Sequence, residues 1–454
     1  MSTSQVSTLG MEQEPSPLER FLGIFGDVRA GEAGTVLLLL LNIFLILGGY
    51  QICKVAREPL ILATGGAELE SYAAAGQAVV LMFFIPLYGW FASKVDRARL
   101  IFGVTLFFIA NIELFWLGAR LHIPYLGVAF FIWVGIFSNA VIAQFWSYGN
   151  DLYSREAGNR LFPLIGVGAT LGSPFGTAAA AWLFSNGVGA YTILQITVAV
   201  LFLSMGIYWL VERRECRRRL RTGPGEKLKE GPGGFALLAY LRLVCILIFL
   251  LNLVNTTGNY VLNKFLVAEA ASRAATDPSF NTEAFIGSFH GNFQFWVNVA
   301  AALMQGLLVS RIVKYLGLAG ALLTLPVVAL GSYGFIAAGA TLALVRLAKS
   351  AENATDYSIM NTARQMIWLP TSREEKYKAK QAVDTFIVRL GDLASAGLVF
   401  VGSALLQFGP QHFATANVVL SLLWLGTAVL LLKEYRRVAG QQEVSSAMPS
   451  ARPK

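Results

Sequence analysis

Long apolar runs alternate with short polar ones along this chain, and the apolar runs are long enough to cross a bilayer. A helix needs about 20 apolar residues to traverse the hydrocarbon layer. Runs of that kind fall at roughly 35–58, 72–93, 100–118, 125–150, 161–185 and 190–211. After a polar stretch they resume at roughly 240–266, 284–309, 317–338, 341–360, 384–406 and 414–432. The intervals between them are too short to hold soluble domains. The pattern predicts an all-α membrane protein with twelve transmembrane helices in two groups of six.

Polar segments frame the two groups. They divide the chain into a tail (1–33), a six-helix half (34–211), a basic linker (212–239), a second six-helix half (240–432) and a closing tail (433–454). The charged run 213–221 and the Gly-, Pro- and Lys-rich sequence after it predict a loop. No apolar leader precedes the first span, so the first tail reads as cytoplasmic. Of the 36 Lys and Arg, 27 fall in the tails and one alternating set of loops, and only Arg120 and Arg273 fall in the other set. By the positive-inside rule both tails and the linker are cytoplasmic.

Composition narrows the class. Hydrophobic residues make up 55% and charged residues 14%, against about 25% charged in soluble domains. The net charge of +9 follows from loop topology and gives no reason to expect nucleic acid as a partner. Three Cys and three His are scattered, with no HExxH pair and no phosphate-binding GxxxxGK[ST]. No metal, cofactor or hydrolytic chemistry is expected, and no nucleophile with its base is visible. The chain reads as a non-enzyme.

The two groups resemble each other. Tyr50 and Lys54 near the end of the first span recur as Tyr260 and Lys264 near the end of the seventh. Ser93-Lys94 recurs as Ser310-Arg311, and Ser154-Arg155-Glu156 as Ser372-Arg373-Glu374. Collinear pairs of this kind suit a duplicated six-helix unit, the major facilitator architecture.

Ionisable groups inside apolar spans are costly and tend to face a water-filled path. Here the cations are Lys54, Arg57, Lys264, Arg346, Lys349 and Arg389, with Arg242 at the start of the seventh span. Helix spacing predicts local pairs Lys54–Glu58, Lys349–Glu352 and Arg389–Asp392. Lys264 has no acid within one turn and lies in a polar stripe from Asn255 to Asn263, which points to an anion supplied by a ligand. Two basic clusters, Lys54 with Arg57 and Lys264, would suit a phosphate chain, with Arg giving forked contacts and Lys a point charge. Tyr50, Tyr260, Phe295, Trp296 and Tyr357 could stack a base or simply pack. Gly166, Gly168, Gly172, Pro174 and Gly176 in the fifth span predict close helix packing.

The stretch from Tyr357 to Gly391 is the most distinctive. It runs Tyr357-Ser358, Arg364-Gln365, Met366-Ile367-Trp368-Leu369-Pro370, then Glu374, Lys376, Lys378, Lys380, Asp384, Arg389 and Gly391. It resembles the nucleotide transporter family of plastids and intracellular bacteria, the ATP/ADP antiporters. Tyr50, Lys54, Arg57, Glu58 and Leu60 match a second family pattern, as do Arg160, Pro163, Leu164 and Gly166. Arg364-Gln365 stands where the family has Lys-Glu, Asn361 where it has Asp, and Gly391-Asp392 where it has Gly-Lys.

The resemblance implies a secondary transporter in a bacterial inner membrane, exchanging nucleotides such as ATP and ADP by alternating access. The expected substrate residues are Lys54, Arg57, Tyr260, Lys264, Arg346, Lys349, Tyr357, Asp384 and Arg389. Cytoplasmic pairs among Arg155, Glu156, Arg160, Arg373, Glu374, Lys376 and Lys378 would open and close. The partners are the nucleotide and the lipid bilayer, and the chain is expected to be a monomer. Two alternatives remain: a carrier of another organic anion, with Glu58, Glu113 or Asp384 taking a proton, and a nucleotide-binding receptor without transport.

Overall fold

One glycine decides how the chain begins. Helix α1 (Ala33–Ala92) has 60 residues, which would extend about 90 Å if straight, some three times the hydrocarbon thickness. Gly66 breaks it, with φ 68° and ψ −169°, a conformation that costs little only where there is no Cβ. Arg57 and Gln77 nonetheless line the same small cavity, although twenty residues of straight helix would part them by about 30 Å. The chain therefore doubles back at Gly66 into two arms. The computed structural model describes residues 28–447 except 30, 93, 96, 154, 220–237, 369–379 and 381.

Helices α2 (Arg97–Arg120), α3 (Leu126–Leu152), α4 (Arg155–Ser185) and α5 (Ala190–Arg219) complete the first half. The second half holds α6 (Leu238–Thr276), α7 (Thr282–Met304) and α8 (Ser310–Ala337). Then come α9 (Leu342–Thr355), α10 (Asn361–Met366), α11 (Val388–Phe400) and α12 (Pro410–Ala447). Wider π-type turns join α7 to α8, α9 to α10, and α11 to its flanks. Gly317 (φ 62°) interrupts α8 as Gly66 interrupts α1.

Among the described residues nine helices are long and apolar enough to cross a membrane. Two of these, Ala33–Phe91 and Thr282–Ala337, hold the glycine breaks. The 14-residue α9 is not among the nine. The outer surface is apolar: Phe83 is 75% exposed and Trp182 66%, side chains that lipid accommodates and water does not.

Buried apolar side chains form two clusters. One is drawn wholly from residues 33–211. The other is drawn from 240–432, joined by Ile61, Leu62, Ala67, Ala73 and Phe131. Within the first half the fifth-span glycines pack against α1. A Cβ at Gly168, Gly172 or Gly176 would lie 2.2–2.3 Å from the carbonyl oxygens of Leu40, Phe44 and Gly48. Four-residue spacing puts those glycines on one face and lets the backbones touch. A Cβ at Gly287 or Gly291 of α7 would lie 2.5–2.6 Å from Phe184 and Ala181 of α4, across the seam between halves.

One expectation fails. The basic run after residue 212 is not a loop at its start, because α5 continues through Arg219. Arg and Glu are good helix formers, so a helix already nucleated by its apolar span runs on into water. Residues 220–237 lie outside the described residues, and the expected linker ends early because Leu238 and Ala239 already belong to α6.

Candidate functional site

Polar side chains collect along the seam between the halves, at three levels. The middle level centres on Lys54, in the first arm of α1. Its Nζ donates to Gln294 Oε1 of α7 at 3.3 Å and lies 5.9 Å from the Tyr357 ring centroid. The expected pairing with Glu58 is absent. Arg57 takes that carboxylate instead, with Nη2 at 2.5 Å and Nε at 3.1 Å from the same oxygen. Adjacent helical residues do not ordinarily face each other, but the long guanidinium curls back while its plane lies on Phe131, 4.0 Å away. Lys54 is left without a carboxylate partner among the described residues.

Nearby donors and acceptors are unmatched. Gln294 Nε2 donates to Asn298 Oδ1 at 3.2 Å. Asn298 Nδ2, His290 Nε2 and Glu58 Oε2 are buried with no partner among the described residues. Beside this group lies a cavity of about 140 Å³ lined by Arg57, Glu70, Gln77, Phe131, Tyr260 and Asp392, among others. Asp392 accepts from Thr256 at 2.8 Å and from Arg389 at 3.1 Å. The spacing-based pair Arg389–Asp392 therefore exists, on the wall of this cavity.

The second level lies where the arms of α1 meet. Lys264 was expected to lack an acidic partner, and it has one: it forms an ion pair with Glu68, just past the Gly66 turn. Tyr260 donates its hydroxyl to the same carboxylate oxygen at 3.0 Å. Asn263 donates to Glu70 at 2.7 Å. All three bonds join the first half to the second. A fourth follows from the loop after α6, where Asp277 accepts from the Ser279 hydroxyl and amide at 2.7 and 2.9 Å. Those bonds hold its carboxyl below the usual range. Asn281 then caps α7 through Ala284 N at 2.9 Å, and Glu283 accepts from Ala190 N at 2.6 Å, at the start of α5. A carboxylate suits that helix end, where amides are unsatisfied and the dipole is positive.

The third level is at the other end. Arg160 pairs with Glu32 at 3.2 Å, within the first half. Arg364 pairs with Asp384 at 3.2 Å and Lys380 donates to Gln365 at 2.6 Å, within the second. Arg364, Lys380 and Asp384 line a polar cavity of about 230 Å³. Arg373, Glu374, Lys376 and Lys378 lie outside the described residues, as do the side chains of Arg155 and Glu156.

Two expected substrate residues sit elsewhere. Lys349 is 1% exposed and held by Glu352 at 3.0 Å, and by the Asn255 carbonyl and side chain at 3.0 and 2.7 Å. Tyr333 closes the network on Glu352 at 2.5 Å. Arg346 lies in a groove between α7 and α9. Gln294, Asn298 and Glu68 were missed in the sequence. The polar residues of α7 alternate with aromatics there and could have signalled a polar face; Glu68 had no local signal.

Comparison with known proteins follows the same lines. A sequence model described as TLC ATP/ADP transporter matches residues 125–435. The chain is 21% identical over 512 residues to ADP,ATP carrier protein 1 of Chlamydia pneumoniae, covering 97% of this chain and 99% of that one. It is 23% identical over 358 residues to the chloroplastic ADP,ATP carrier protein 1 of Arabidopsis thaliana, covering 71% and 56%. In fold it resembles a POT family transporter, PepTSo, with a TM-score of 0.64 at 12% identity, over 89% of this chain and 98% of that one.

Proposed function

The chain belongs to the TLC ATP/ADP transporter family, and from that premise we propose that it exchanges one adenine nucleotide for another across a membrane. It is a multi-pass secondary transporter, not an enzyme. Counting each arm of α1, dividing the α7–α8 unit, and taking α9 with α10, we read twelve crossings in two six-helix halves, with both termini cytoplasmic. A bacterial inner membrane and a monomeric state complete the reading. Gradients drive such exchange: a net charge moved across the membrane is worth about 2.3 kcal/mol per 100 mV.

The observation that carries the reading is Lys54. It is an ammonium inside a membrane protein, on the seam between halves, whose hydrogen-bond partner is the neutral Gln294. Arg57, Lys264 and Arg389 at that seam already hold carboxylates. A phosphate oxygen would supply what Lys54 lacks, with Tyr357 offering an aromatic face beside it. Asn298, whose Nδ2 is unmatched, would donate to the same group.

Alternating access follows from the outer and inner levels. The bonds from Glu68, Glu70 and Glu283 join the halves at the Gly66 end. At the opposite end the pairs Arg160–Glu32 and Arg364–Asp384 each stay within one half. This is a state closed at the Gly66 end, and exchange requires those joining bonds to break and reform.

The test is uptake of labelled ATP into proteoliposomes. Uptake should depend on unlabelled ATP or ADP inside, and equal uptake into empty vesicles would sink the exchange mechanism. For topology, Thr222→Cys in a chain without Cys53, Cys216 and Cys245 should be shielded from impermeant maleimide applied to intact cells. Rapid labelling there would invert the proposed orientation.

A further inference from the structure

In the second half, Arg346 belongs neither to the seam nor to a buried ion pair among the described residues. Its guanidinium lies 5.3 Å from the Phe289 ring centroid, and it has no hydrogen-bond or ion-pair partner among the described residues. It lines a groove of about 1070 Å³ between α7 and α9, roofed by the end of α6. The groove does not belong to the seam. Trp296 lines it, and Trp296 stands two positions from Gln294; at about 100° per residue the two point to nearly opposite sides of α7. Its lips are open outward, with Trp296 58% and Leu347 68% exposed.

Shape and charge together specify an occupant. Arg346 is one turn into α9, so its head can reach the bilayer interface while its stem stays among apolar side chains. From Arg346 to Ala354 is about 12 Å of helix rise, close to half of a hydrocarbon core of about 30 Å. Along that length the wall is Trp296, Ala300, Met304, Leu347 and Ala351, which suits an acyl chain. At the mouth, Arg273 is already paired with Glu269 at 2.8 Å, so Arg346 leaves one uncompensated positive charge. We infer that this groove is a binding site for an anionic phospholipid, whose phosphate rests on Arg346 and whose acyl chain descends between α7 and α9. A zwitterionic lipid would bring its own cation and leave the excess charge in place. A nucleotide bound at Lys54 is not the same ligand, because Tyr357, which marks that site, lies about 16 Å further along the helix axis.

The test uses the purified full-length chain in neutral detergent, titrated with dioleoylphosphatidylglycerol or dioleoylphosphatidylcholine. Phosphatidylglycerol should raise the melting temperature of wild type and phosphatidylcholine of the same chains should not. Arg346→Gln should need at least tenfold more phosphatidylglycerol for the same rise. Ser350→Trp keeps the arginine but obstructs the acyl path, and should lose the response as well. Labelled ATP binding, measured at fixed lipid, should be unchanged in both variants. The inference fails if the two lipids act alike on wild type, or if both variants respond as wild type does. It fails equally if Arg346→Gln loses ATP binding while keeping its lipid response, since the arginine would then serve the nucleotide. None of these readouts depends on transport, so the exchange reading stands or falls separately.

Discussion

Lys349 and Lys264 each hold a glutamate, and the two pairs differ in depth and in what they join. Lys349–Glu352 is 1% and 3% exposed, three residues apart on α9, and tied into α6 and α8 through Asn255 and Tyr333. Lys264–Glu68 is 36% and 29% exposed and bridges the two halves. A buried pair is costly to break because the survivor is an uncompensated charge, about 3–5 kcal/mol. An exposed pair is worth about 0.2–1 kcal/mol. The first can therefore fix the shape of a half, and the second can open during a transport cycle. Lys54 stands between them, inside the seam yet without a carboxylate of its own.

The largest effect should come from the buried pair. Lys349→Met leaves Glu352 with only Tyr333, so the variant should lose about 3–5 kcal/mol of stability. In detergent its melting temperature should fall steeply, and replacing both members, Lys349→Met with Glu352→Gln, should recover part of the loss. A Lys349→Met curve superimposable on wild type would remove the distinction drawn between the two pairs.

Lys54→Gln should behave differently, because it orphans no carboxylate. Its loss should leave the melting temperature of the empty protein near that of wild type. A charge-assisted contact to phosphate is worth about 1.5–3 kcal/mol, which corresponds to roughly ten- to a hundredfold weaker nucleotide binding. Equilibrium binding of labelled ATP reads this directly. Unaltered affinity would move the phosphate site away from Lys54.

These contrasts were partly legible in the sequence. Pairs three residues apart on one helix, Lys349–Glu352 and Arg389–Asp392, could be read from spacing because helix geometry alone brings them together. So could the packing role of Gly168, Gly172 and Gly176, since their four-residue interval is the interval of a helix face. Lys264 could not, because its partner Glu68 lies 196 residues away and reaches it only after Gly66 has turned the chain back. Lys54 and Glu58 have the right spacing and still fail to pair, because the guanidinium fork of Arg57 holds that carboxylate while Lys54 Nζ turns to Gln294. Depth was equally hidden: Lys349 and Arg346 are three residues apart, yet one is sealed in the second half and the other faces a lateral groove. The all-helical membrane fold was readable from the apolar rhythm, whereas the choice of partner at each charge needed the tertiary structure.

The smallest effect should come from the pair between the halves, and it should appear in accessibility, not in stability. Lys264→Gln removes one half-buried contact in reach of water and leaves Glu68 with Tyr260, so unfolding should change by about 1 kcal/mol at most. The same energy acts on the equilibrium between states closed and open at the Gly66 end, where about 1 kcal/mol is a fivefold change in population. Ser71, buried on the cavity wall behind this pair, is the reporter. In a chain without its native cysteines, Ser71→Cys should react up to about five times faster with a water-soluble maleimide once Lys264→Gln is added. Glu68→Gln should produce a similar rise, and the two together little more than either alone, as expected for two members of one interaction. Raising the salt should speed labelling in the otherwise wild-type background and have less effect in Lys264→Gln, because an exposed pair is screened over about 10 Å at 0.1 M. If labelling rates are equal with and without Lys264, and equally sensitive to salt, the Glu68–Lys264 contact does not restrain opening. Closure at that end would then rest on Glu70–Asn263 and Glu283–Ala190.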